Sequence, residues 1–114
     1  MTPLSADSRS GQLAARLPES LGTLEGPADG VVSLPLHLAW SGLRAFDLGQ
    51  PRQRMGLYRI LLNDGQHDDL PRFLNGGLLV ELWPVLRTLV GPSIRTAWES
   101  AFPELATAAR PAAA

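Results

Sequence analysis

Proline and glycine recur at short intervals through the second half of this chain, and they cap the length of every helix it can form. Pro51, Asn63-Asp64-Gly65, Asn75-Gly76-Gly77, Gly91-Pro92 and Pro103 each begin or end a segment. Proline lacks the amide hydrogen that a helix interior needs, and glycine accepts the backbone angles of tight turns. Between these breaks the apolar residues recur at helical spacing. From Pro51, tolerated at a first helical position, Met55, Leu57, Tyr58, Ile60, Leu61 and Leu62 cover well over half of a helical wheel. So wide an apolar arc belongs to a central helix packed on several sides. Gly65 is the expected left-handed cap at its end.

Three further helices follow from the same pattern. A short one is capped by Asp68 and buries Leu70, Phe73 and Leu74. The next runs from Leu78 towards Val90, with Pro84 expected to kink or restart it at a cost of about 3 kcal/mol. A fourth starts at Gly91-Pro92-Ser93, places Ile94, Ala97, Trp98, Ala101 and Phe102 on one stripe, and stops at Pro103. Arg95 and Glu99, four residues apart, are expected to pair on its wet face. The fold class is therefore mainly α: a bundle of about four short helices over residues 51 to 102, with short connections that make neighbours pack side by side.

Ahead of the helices the period changes. Leu34, Leu36, Leu38 and Trp40 alternate with Pro35, His37 and Ala39, the signature of a half-buried extended segment. Pro35 has no donor for a ladder, which makes this an edge strand. No second strand is legible to pair with it, so the segment either packs as irregular extended chain or has another molecule as its partner. Residues 1–30 are rich in Ser, Gly and Pro and read as a flexible leader, although Gln12 to Leu17 has some helical character; residues 106–114 read as a fraying tail. The domain is placed at 31–105.

With 114 residues there is room for one domain. The chain has no cysteine, which excludes disulfides, thiol nucleophiles and the commonest structural zinc sites, and suits a reducing compartment. No run approaches the roughly twenty apolar residues of a membrane span, and the N-terminal stretch with Arg9 and Arg16 lacks the basic-then-apolar order of a signal peptide. A cytoplasmic location is expected. All ten basic residues are arginine and the net charge is −1, so no global positive field draws the protein to nucleic acid.

Candidate chemistries are few. His37, with His67-Asp68 thirty residues on, has the spacing of a helical HD-type metal phosphohydrolase, but that site also needs a distant aspartate, and Asp69 is the last one in the chain. Ser41-Gly42 lacks the strand–turn–helix setting and flanking glycine of an exposed nucleophile. Gly76-Gly77 opens a helix, but cradling a phosphate there needs further glycine and usually a lysine, and the chain has no lysine. Arg44, Arg52, Arg54 and Arg59 suggest phosphate contacts, and hence a DNA-binding regulator as the alternative function. Across residues 31–105, however, seven arginines face seven acids. No cofactor and no catalytic set is expected, and the chain is not expected to be an enzyme.

Several runs carry a likeness to known sequences: Leu38-Ala39-Trp40-Ser41-Gly42, Phe46-Asp47-Leu48, Pro51-Arg52-Gln53-Arg54-Met55, Leu57-Tyr58-Arg59-Ile60-Leu61-Leu62, Leu82-Trp83-Pro84 and Ile94-Arg95-Thr96-Ala97-Trp98-Glu99. Over residues 34 to 105 the chain resembles a family of small actinobacterial proteins associated with neighbouring nucleotidyltransferase-like toxins of the abortive-infection type. The family has an Asp before Pro51 where this chain has Gln50, a weaker cap. The resemblance implies an antitoxin-like or accessory partner and brings no catalytic residues. The expected function is a small protein-interaction module. Leu36, Leu38 and Trp40 are its anchors, adding to a partner's sheet edge, and Arg44, Arg52 and Arg59 form a polar rim against an acidic toxin surface.

Overall fold

A computed structural model describes residues 15–39 and 44–109, and it is mainly helical. Five helices follow one another: α1 (Pro51–Asp64), α2 (Asp69–Phe73), α3 (Gly76–Leu86), α4 (Pro92–Ala101) and α5 (Pro103–Ala109). Two short strands precede them, β1 (Val31–Ser33) and β2 (Ala45–Asp47), with single 3-10 turns at Leu21–Thr23 and Leu36–Leu38. The core is built around α1 and α3: Tyr58, Leu57, Leu61, Leu79 and Trp83 are fully buried, and Leu105 of α5 closes the far side. The wide apolar arc read from α1 is thus covered on several sides, as a central helix requires.

Several expectations need correction. First, the strand is not the alternating run from Leu34 to Trp40 but the segment just ahead of it, and that strand has a partner in its own chain. β1 and β2 pair antiparallel, with Val31 opposite Asp47, Val32 opposite Phe46 and Ser33 opposite Ala45. The strand lies just ahead of the alternating run, and Leu36 to Leu38 coils into a 3-10 turn. Three-residue strands are too short for periodicity to reveal, and the β-branched pair Val31-Val32 was their main sign. Second, the body begins well before residue 31. Pro18, Leu21 and Leu24 are buried, and the chain there is tied to the helices by Glu25 N–H to the Pro71 carbonyl, Gly26 N–H to Leu74 and Gly76 N–H to Leu24.

Third, Pro103 ends α4 and also starts α5, whose Leu105 and Ala109 reach the core. Proline at a first helical position loses nothing, because that amide has no intrahelical acceptor. Residues 106–109, expected to fray, belong to this helix. Fourth, Gly65 has φ −65° and is no left-handed cap. Glycine is needed there for space, since a Cβ would stand 2.5 Å from the Leu61 carbonyl oxygen. Arg16 then caps the end of α1, donating to the carbonyls of Leu62 and Gly65 at 2.8 Å each. The one described glycine with positive φ is Gly30 (83°), at the turn into β1.

The helix α3 runs through Pro84 and ends at Leu86 rather than near Val90. Pro84 is exposed, so the carbonyl that loses its donor can turn to solvent. The pairing expected on the wet face of α4 is replaced by a better one. Glu99 accepts from Trp83 Nε1 (2.8 Å) and from Arg87 Nε (2.7 Å), which clamps α4 onto α3. The Arg87 hydrogen bond, the Trp83 N–H and the field of Arg95 hold the Glu99 carboxyl below its ordinary range against partial desolvation.

A depressed carboxyl contributes stability above the unfolded value of about 4.3 and loses it as pH falls through the lowered folded value. Glu99→Gln should therefore melt below the wild type at pH 7, and the gap should close on acidification to pH 3. A gap of constant size across that range in thermal melts would remove the clamp from the account of acid stability.

Candidate functional site

The residues expected to bind a partner are dispersed by the fold. Leu38 is 1% exposed and belongs to the core, so it is withdrawn as an anchor. Leu36 stands 74% exposed on the 3-10 turn. Trp40 lies outside the described residues. Arg44 is exposed and reaches back to the Leu34 carbonyl through Nε at 3.3 Å. Arg52 and Arg59 lie seven residues apart on the exposed side of α1, and neither makes an ion pair among the described residues. The stretch 44–59 holds four arginines and one acid, a net of +3 in a chain of net −1, so the remaining residues carry −4.

The HD-type arrangement does not assemble. His37 meets Asp69, not the His67-Asp68 pair, donating through Nε2 to Oδ2 at 2.8 Å. Asp69 is the one buried charged residue among the described residues and also accepts from the Gln66 amide at 2.9 Å. It thereby fastens the 3-10 turn to the loop before α2. Asp68, expected to cap α2, makes no side-chain capping bond; its carboxylate lies 3.6 Å from His67 Nδ1 at the surface. Among the described residues no group of three or more His, Asp or Glu side chains is placed to hold a metal ion.

The Gly76-Gly77 start of α3 serves packing. Asn75 caps it, its Oδ1 accepting from Leu78 N–H while its Nδ2 donates to the Gly26 carbonyl. The Asn75 amide in turn donates to the Tyr58 hydroxyl at 3.0 Å. A shallow cleft of about 400 Å³ beside it is lined by Leu21, Leu24, Val80 and Glu104. The Glu104 carboxylate there would repel a phosphate rather than hold one.

The feature that periodicity could not show is the free side of β1. The Leu34 amide donates to Arg44 and the Leu48 amide to Gly30. Hydrogen-bonded pairs alternate along an antiparallel ladder, so Gly30, Val32 and Leu34 face β2, whereas Val31 and Ser33 turn their amides and carbonyls outward. The equivalent side of β2 is occupied: the Asp47 amide donates to Gln53 Oε1 at 2.7 Å and its carbonyl accepts from Gln50. No hydrogen bond among the described residues reaches the outward groups of Val31 and Ser33. The side chain of Val31 is 69% exposed, Leu36 follows close behind, and no charged residue guards the strand itself. Unprotected edges of this kind are sites of strand addition.

Fold and edge together define a small, mainly helical domain with one open strand. No protein-family model, curated protein or solved structure matches the chain. No helix among the described residues is long and apolar enough to cross a membrane.

Proposed function

We propose that this chain is a non-enzymatic protein-interaction module, acting as the antitoxin-like partner of a nucleotidyltransferase-type toxin in the cytoplasm. The observation that carries the interaction reading is the open outer edge of β1 with exposed Val31 and Leu36 beside it. Main-chain donors and acceptors at such an edge give affinity, and flanking apolar side chains give specificity. Arg52 and Arg59, which make no ion pair among the described residues, supply the positive face that an acidic enzyme surface would meet, and they act chiefly on association rate and salt dependence. The toxin-directed part of the proposal rests on the family resemblance.

The test is co-expression with the product of the neighbouring gene, followed by measured affinity for the purified complex. Leu36→Glu should leave the melting temperature unchanged within a few degrees and weaken the complex by at least tenfold, or about 1.4 kcal/mol. An unchanged affinity would sink the assignment of this patch. A DNA-binding role would use the same arginines on phosphates, and it predicts retardation of the chain's own upstream DNA that falls steeply with salt.

A further inference from the structure

We infer that the occupant of the β1 edge is a second copy of this chain, joined edge to edge in a continuous four-stranded antiparallel sheet of order β2-β1-β1-β2. This rests on reading that edge as a docking site, and it assigns the occupant of the strand edge itself; Leu36 beyond the strand and the arginine face of α1 then remain for a heterologous protein.

The register follows from which groups point outward. Val31 and Ser33 each offer one amide and one carbonyl on the free side of β1. When two copies run antiparallel about a two-fold axis at Val32, Val31 of one copy faces Ser33 of the other, and the reverse holds on the other side of the axis. Both pairs are hydrogen-bonded pairs, so all four outward donors and acceptors of each copy are satisfied by the same four groups of its partner. An isologous interface of this kind closes as a dimer and leaves no free edge for further growth. A two-stranded ribbon alone is marginal in water, and four strands with a buried face are not.

Charge agrees with that direction. Asp29 lies just ahead of β1 and is exposed, while Arg44 is held at the opposite end by its bond to the Leu34 carbonyl. Neither has an ion pair among the described residues. Antiparallel pairing brings the Asp29 end of β1 in each copy towards the Arg44 end of the other. A parallel arrangement would set like charges together.

The chain contains no cysteine, so engineered thiols report the register without background. Paired Cα atoms in such a ladder are about 5.5 Å apart, within disulfide range, whereas two copies of position 31 would be displaced by a further two residues, roughly 7 Å. Val31→Cys and Ser33→Cys should therefore cross-link when mixed and oxidised, and neither should cross-link alone.

Sedimentation of the unmodified chain should give twice the 12.3 kDa monomer mass, and Val31→Lys should return it to the monomer with unchanged circular dichroism. Cross-linking of either variant alone, or a monomer at all concentrations with no mixed cross-link, would overturn the inference. That second result leaves the heterologous reading to its own test, since Leu36→Glu is measured against the toxin and not against the chain itself.

Discussion

Trp83→Ala should unfold much of the population at physiological temperature. Trp83 is fully buried at the centre of α3, and its indole N–H donates to Glu99 on α4 at 2.8 Å. Truncation of a buried tryptophan removes its transfer energy and leaves a cavity, together worth about 3–5 kcal/mol. A domain of this size has a total stability of roughly 5–15 kcal/mol, so one side chain carries a large share. The melting temperature should fall by about 15–30 °C, given roughly 4–8 °C per kcal/mol in a small domain. Trp83→Phe bears on the two contributions, because it keeps most of the packing while losing the bond to Glu99 and a smaller part of the ring volume. The phenylalanine variant should lie much nearer the wild type than the alanine variant. A fall of only a few degrees for alanine would mean that the neighbouring helices collapse into the space.

The helical half of the molecule was legible because its signals are local. Apolar spacing and the breaks at Pro51, Gly65, Gly76 and Pro92 place α1 to α4 within a few residues of where they lie. What escaped was set by contacts between distant parts of the chain. Leu21 and Leu24 have little periodic support around them, and they are buried because α3 and the segment after α2 offer them a groove. Ala45 to Asp47 is strand only because Val31 to Ser33 lies beside it. Leu38 and Leu36 looked equivalent in an alternating pattern, but the 3-10 turn sends one into the core and the other to solvent. The pairing of Glu99 with Arg87 in place of Arg95 depends on how α3 crosses α4, which no spacing rule encodes. Of the proposed interface, the arginines and Leu36 were readable from composition and pattern. The open edge was not, since it follows from which amides face β2.

A second large effect is expected at Gly76, where two local rules give opposite signs. Glycine within a helix costs about 1 kcal/mol relative to alanine, so propensity alone favours Gly76→Ala. A Cβ at this position, however, would stand 2.3 Å from the Leu21 carbonyl oxygen, closer than real side-chain carbons approach. The obstacle is backbone on both sides and cannot swing away. Gly76 N–H is bonded to the Leu24 carbonyl at 2.9 Å, Asn75 Nδ2 holds the Gly26 carbonyl, and Glu25 bridges to Asn75.

Relief therefore requires residues 21–26 to lift from the start of α3, exposing Leu21 and Leu24 and breaking those bonds. A net loss on the order of 2–4 kcal/mol is expected, in the range of mutations that force a backbone apart. Gly77 is the control: it is exposed, a Cβ there would meet only Asn75 Oδ1 at 3.5 Å, and Gly77→Ala should be neutral or stabilising by up to about 1 kcal/mol. Limited trypsin digestion reads the same event locally, because Arg16 is held by the carbonyls of Leu62 and Gly65 just ahead of the segment that would lift. Cleavage after Arg16 should accelerate in Gly76→Ala and stay at the wild-type rate in Gly77→Ala. Equal stability and equal cleavage for the two variants would show that the 21–26 segment is not docked against α3 in solution.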